Sequence, residues 1–130
     1  MIVGLAARGR PVSHLALRGD YPLPDAAART AAAQAFAALP DGALVLVDGL
    51  AFGALPEIAA AEARRLRLVA LVHHPLADEA GLAAEAVAAL LASERAALVH
   101  ARVVLCTSRA TAARLASGFG VAPDRIVVAV

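Results

Sequence analysis

Short apolar runs that each stop abruptly in polar or turn residues recur along the chain, and alanine-rich stretches with larger apolar residues at three- and four-residue spacing separate them. The runs read as buried strands and the intervening stretches as helices. Val12–Leu17 (VSHLAL), Ala43–Val47, Leu68–Val72, Arg102–Cys106 and Arg125–Val130 (RIVVAV) are the expected strands. Met1–Arg8 reads as the last turns of a helix capped by Gly9. Asp25 is placed to cap a helix through Ala38, and Pro40-Asp41-Gly42 then breaks the chain. Pro56 sits near the first turn of a helix running to about Arg65, with Glu57 favourable at its positive end. The longest helix is expected over Leu82–Ala101. Leu82, Ala86, Leu90 and Ala97, with Leu91 and Leu98, recur there at helical spacing, while Glu85, Glu94 and Arg95 fall outside the most apolar face. Ser108 or Thr107 caps a last helix that reaches about Ser117. Near-continuous apolar strands alternating with helices dictate an α/β fold with parallel strands covered on both faces.

The polar residues at the strand ends carry the chemistry. Val69–Leu76 (VALVHHPL) ends a buried strand in His73 and His74; Leu44–Gly49 (LVLVDG) ends in Asp48, and Val103–Ser108 (VVLCTS) in Thr107 and Ser108. Ligands of open parallel sheets sit in the crevice outside the strands' carboxyl ends. Each residue also has a plainer reading. His73 can be a strand-end histidine bonded to backbone, and Asp48 only the turn residue before Gly49. Thr107 and Ser108 are economical helix caps, although the amides at a helix start also attract anions. Extended backbone turns His73 and His74 to opposite sides, so one metal ion could not easily take both. Neither a GxGxxG nor a GxxxxGK[ST] phosphate loop follows a strand, and no GxSxG elbow occurs; Ser93 and Ser117 lie in helices. Thus no cofactor and no metal is implied. Arg64, Arg65 and Arg67 read as a solvated helix end favoured by the macrodipole.

Composition refines this picture. The chain of 130 residues allows one domain. Its 61% apolar content and mean hydropathy of +0.72 owe much to alanine, and the longest stretch without charge, Thr30–Pro40, is far too short to span a bilayer. A soluble protein without a transmembrane segment is expected. All 12 basic residues are Arg, and Lys and Asn are absent, a usage that fits a GC-rich bacterial genome. Net charge +1 gives no electrostatic case for nucleic acid. One cysteine permits no internal disulfide and, with no signal peptide visible, places the expected protein in the cytoplasm. Cys106, inside a strand, reads as a buried inert thiol.

Taken together, DGLAFGALPE (Asp48–Glu57), LVHHPLADEAGL (Leu71–Leu82) and Ser93–Val130, with its Glu-Arg pair, strand ending in Thr-Ser and closing GVAPDRIVV, resemble the amino-terminal half of GT-B glycosyltransferases of family 4. The resemblance implies a Rossmann-like three-layer domain with a mainly parallel sheet of about five strands, an incomplete half of a GT-B fold. It implies a retaining enzyme that moves a sugar from a nucleotide-sugar donor to a hydroxyl acceptor. His73 matches the histidine beside the transferred sugar; Asp48, Gly49, His74, Thr107 and Ser108 would border the acceptor side. Family members begin with a strand and a Gly-rich loop and continue into a second Rossmann-like domain that grips the donor. Neither is visible here, so residues 1–130 are expected to be a partial amino-terminal domain, inactive alone. The missing first strand would lie between those matching Val12–Leu17 and Ala43–Val47, leaving an unpaired edge on each unless the two close up and pair with each other. The alternatives are a non-catalytic α/β binding module or a related GT-B nucleotide-sugar epimerase.

Overall fold

The structure, a computed structural model, describes residues 12–129. Four strands form one all-parallel sheet in the order β1-β2-β3-β4: β1 (Leu44–Asp48), β2 (Arg67–Val72), β3 (Val103–Cys106) and β4 (Ile126–Val128). The register aligns their carboxyl ends. Asp48 lies opposite Leu71, Val72 opposite Cys106, and Cys106 opposite Val128. Every strand is joined to the next by helix, as parallel pairing requires. The α/β class and the parallel topology therefore stand.

The helices are α1 (Ala26–Ala37), α2 (Gly49–Phe52), α3 (Pro56–Glu62), α4 (Ala84–Leu98) and α5 (Arg109–Gly118), with single 3₁₀ turns at Leu76–Asp78 and Pro123–Arg125. Their starts follow local chemistry. Asp25 accepts the Ala28 amide at 2.8 Å and starts α1. Pro56 opens α3, where no N–H is needed, and Glu57 occupies its first turn.

A monotonic strand order with right-handed crossovers places every crossover helix on the same side of the sheet. Burial along the strands agrees. Val47, Leu68, Ala70, Val72, Val104 and Cys106 are buried in the core with Phe36, Phe52, Ile58, Leu98 and Leu115 from the helices. The alternate positions Leu44, Leu46, Val69, Leu71, Val103, Leu105 and Val127 lie outside that core cluster and are half-buried or exposed.

Among the described residues the crossover helices supply cover to one face of the sheet, not to both as expected, and three further expectations need correction. Val12–Leu17 forms no strand; Val12 and Leu15 are 39% and 55% exposed, and only Leu17 packs against the core. An apolar run interrupted by Ser13 and His14 becomes a strand only where a neighbour completes its ladder, and among the described residues it has none. The sheet so described has four strands, one fewer than expected. Arg65 is also no solvated helix end. Its guanidinium donates to the carbonyls of Leu39 and Phe36 and pairs with Asp41 and Glu62, tying the end of α1 to α3. Arg67 likewise donates through Nε to the Gly42 carbonyl at 2.9 Å. Third, Glu94 is not on a solvated face of α4: it is 1% exposed. The expected helix at Met1–Arg8 lies outside the described residues.

Candidate functional site

The aligned carboxyl ends of β1, β2 and β3 bring Asp48, Gly49, His73, His74, Thr107 and Ser108 to one edge of the sheet. They differ sharply in what already occupies them. Asp48 turns back to cap α2, its Oδ1 accepting the Leu50 amide at 2.9 Å. Gly49 is buried hard against β2: a Cβ there would come within 2.8 Å of the Leu71 carbonyl oxygen and 3.4 Å of the Val72 Cα. Ser108 caps α5, its Oγ accepting the Thr111 amide at 3.1 Å and donating to Thr111 Oγ1 at 3.0 Å. Thr107 is exposed at the end of β3.

The two histidines separate cleanly. His74 Nε2 lies 2.6 Å from Glu79 Oε2, an exposed pair that closes the loop on itself. The exposed His73 ring makes no hydrogen bond to another described residue, yet its backbone is fixed, because Thr111 Oγ1 donates to the His73 carbonyl at 3.1 Å. An anchored backbone beneath an uncommitted imidazole is the arrangement a ligand-facing histidine needs.

Two features of this edge escape a reading of the strand ends alone. Arg114 on α5 grips Asp78 through two bonds of 3.0 and 2.9 Å and lies 4.9 Å from the centre of the Phe119 ring. The buried Glu94 reaches from α4 to the same loop, its Oε1 accepting the Leu76 amide at 2.9 Å. Burial pushes the Glu94 carboxyl up to about 7 and Asp78 adds to the rise, while the Leu76 amide, His74 and Arg114 oppose it. The signal for Glu94 was present in the sequence: it falls in phase with Leu90, Ala97 and Leu98, the other buried residues of α4.

Cys106 is a buried free thiol. Among the described residues no three His, Cys, Asp or Glu side chains gather closely enough to hold a metal ion. Residues 3–129 match the sequence model of Glycosyltransferase Family 4. The chain belongs to that family. Searches of curated proteins and of solved structures found no match.

As a family 4 glycosyltransferase domain, the chain has a glycosyltransferase-related function, with sugar donors and acceptors as its partners in general. The four-stranded parallel sheet with its helices is consistent with the Rossmann-like half of a GT-B fold. Among the described residues no helix is long and apolar enough to cross a membrane.

Proposed function

We propose that this chain supplies the acceptor side of a retaining glycosyltransferase that moves a sugar from a nucleotide-sugar to a hydroxyl acceptor. The observation that carries the reading is the uncommitted His73 imidazole on an anchored strand end, in a chain whose family match runs through nearly its full length. Asp48, Gly49, His74, Thr107 and Ser108 shape the surrounding edge. In the reaction the bond between the anomeric carbon and the donor phosphate breaks, and a bond from that carbon to the acceptor oxygen forms. The proton of the acceptor hydroxyl passes to the departing phosphate. No side chain has to act as nucleophile or base; His73 orients the sugar and stabilises the developing charge. That demand suits this edge, which offers hydrogen-bond donors and fixed backbone.

In family members the groups that grip the donor belong to a second Rossmann-like domain, so residues 1–130 act as a partial amino-terminal domain and the donor is held elsewhere. The test uses the protein in which this domain sits beside its donor-gripping half. Incubation with uridine or guanosine diphosphate sugars and hydroxyl acceptors should give a glycoside whose anomeric configuration, read by NMR, matches the donor. An inverted product would overturn the retaining mechanism. A donor converted to its epimer without transfer would favour the epimerase reading, and binding without turnover the non-catalytic module.

A further inference from the structure

Two adjacent side chains on α4, Ser93 and Glu94, contact the two chain segments that leave β1 and β2 at the candidate site. Ser93 Oγ donates to the Gly53 carbonyl at 2.6 Å, at the end of the α2 segment that begins with Gly49. Glu94 Oε1 accepts the Leu76 amide at 2.9 Å, three residues beyond His73. The two anchored segments also meet at this point. A Cβ on Gly53 would lie 2.9 Å from Leu76 Cδ1 and 3.2 Å from Glu94 Cγ and the Gly49 carbonyl oxygen, so loop and helix approach closely here and a larger residue would have to displace the Leu76 and Glu94 side chains.

A carboxylate is a costly choice for a helix position in phase with leucines, since burial disfavours its charge. Packing alone would be better served by another apolar residue. What glutamate adds is an acceptor aimed at a backbone N–H that the 3₁₀ turn Leu76–Asp78 cannot itself satisfy. Three contacts then act on the loop after β2 from two helices: Thr111 and Arg114 of α5 at the His73 carbonyl and at Asp78, and Glu94 of α4 at the Leu76 amide.

We propose that Ser93 and Glu94 are positioning residues of the transfer site: side by side on one helix turn, they hold the Asp48–Gly53 and His73–Asp78 segments in fixed relation. This deepens the proposed function and rests on it for the word site; the clamp itself is a statement about geometry. Neither residue touches the substrate. They act through the backbones that carry Asp48 and His73.

Amide hydrogen exchange and NMR shifts of the full 130-residue chain test the clamp without reference to activity. In Glu94→Leu the Leu76 amide should exchange about tenfold faster relative to the β2 and β3 amides, the equivalent of one lost buried hydrogen bond, and the His73 ring signals should move. Glu94→Gln keeps a carbonyl acceptor and should retain both the protection and the His73 signals. Ser93→Ala, at a half-buried position, should shift the signals of Gly49–Gly53 while the strand amides stay in place. If Glu94→Leu does not fold, Glu94→Gln and Ser93→Ala still decide. Leu76 protection lost in Glu94→Gln, unchanged in a folded Glu94→Leu, or lost only together with every strand amide, would overturn the clamp. So would Ser93→Ala with Gly49–Gly53 unmoved. If the chain shows the clamp signature but the protein in which it sits beside its donor-gripping half transfers no sugar, the proposed function alone would be retired.

Discussion

His73 and His74 are neighbours with opposite commitments, and that contrast makes the sharpest residue-level prediction. His74 is paired with Glu79, whereas the His73 ring bonds to no other described residue. In the enzyme that carries this domain, His73→Ala should lower turnover at saturating substrates by roughly a hundred- to a thousand-fold, the usual effect of removing one donor aimed at developing charge. His74→Ala should cost far less turnover and instead loosen the loop. Compared at matched folded fraction, a larger loss at His74 would reverse the assignment. Gly49 gives a second test. The Cβ of Gly49→Ala would press on backbone at Leu71 and Val72, which cannot move as a side chain can. The cost should be about 1–3 kcal/mol in urea unfolding; an unchanged midpoint would show that β1 and β2 part easily. These strand-end residues were legible because an apolar run that stops in polar residues marks its own boundary. Glu94 was not. In an alanine-rich helix both faces look apolar, so a glutamate reads as solvated unless its phase with Leu90 and Leu98 is counted.

At the scale of elements, long helices and central strands follow from pattern, while Val12–Leu17 shows where pattern fails. A strand is a property of two paired segments, and an apolar run alone cannot reveal that no described residue pairs with it. Arg65 fails for a related reason: its partners Phe36, Leu39 and Asp41 are remote in sequence, so the contact belongs to the packing of α1 on α3. The coupling of α4 to the site loop makes a prediction about pH. Folded Glu94 keeps its proton up to about 7, but in the unfolded chain it ionises near its ordinary 4.5. Its contribution is therefore fully present below pH 4.5, falls as pH rises between 4.5 and 7, and is flat above that range. The largest loss is about 3 kcal/mol. Glu94→Gln cannot ionise and still accepts the Leu76 amide. Urea unfolding across pH 4.5–8 should show the wild-type stability dropping relative to Glu94→Gln, with the variant the more stable at pH 8. Parallel profiles would mean that Glu94 ionises as readily folded as unfolded.

At the scale of the whole molecule, the described residues are distributed unevenly about the sheet. Right-handed crossovers in a monotonic strand order put the crossover helices on one side of the sheet, and Leu44, Leu46, Val69, Leu71, Leu105 and Val127, which point to the other side, lie outside the core cluster. Leu44, Val127 and Leu46 are 64%, 46% and 40% exposed, far more than the covered positions beside them. The two strands at the margins, β1 and β4, also present an outer edge without a described partner. A contiguous apolar sheet face with open edges promotes self-association, because covering it removes apolar area from water and pairs free backbone groups. The 130-residue chain should therefore bind a dye such as ANS in its native state and sediment with a mass that rises with concentration. Leu46→Arg distinguishes this from partial unfolding. Position 46 lies on the same side as Asp48 and Arg67, so a charged residue there can reach water, and the variant should associate less while unfolding at a similar urea midpoint. Val47→Arg, one residue along but 6% exposed against the core, should lose the fold instead. A wild-type chain that stays monomeric at every concentration and binds no dye would show that this face is covered. Equal unfolding by both substitutions would show that the two sides of the sheet are buried alike.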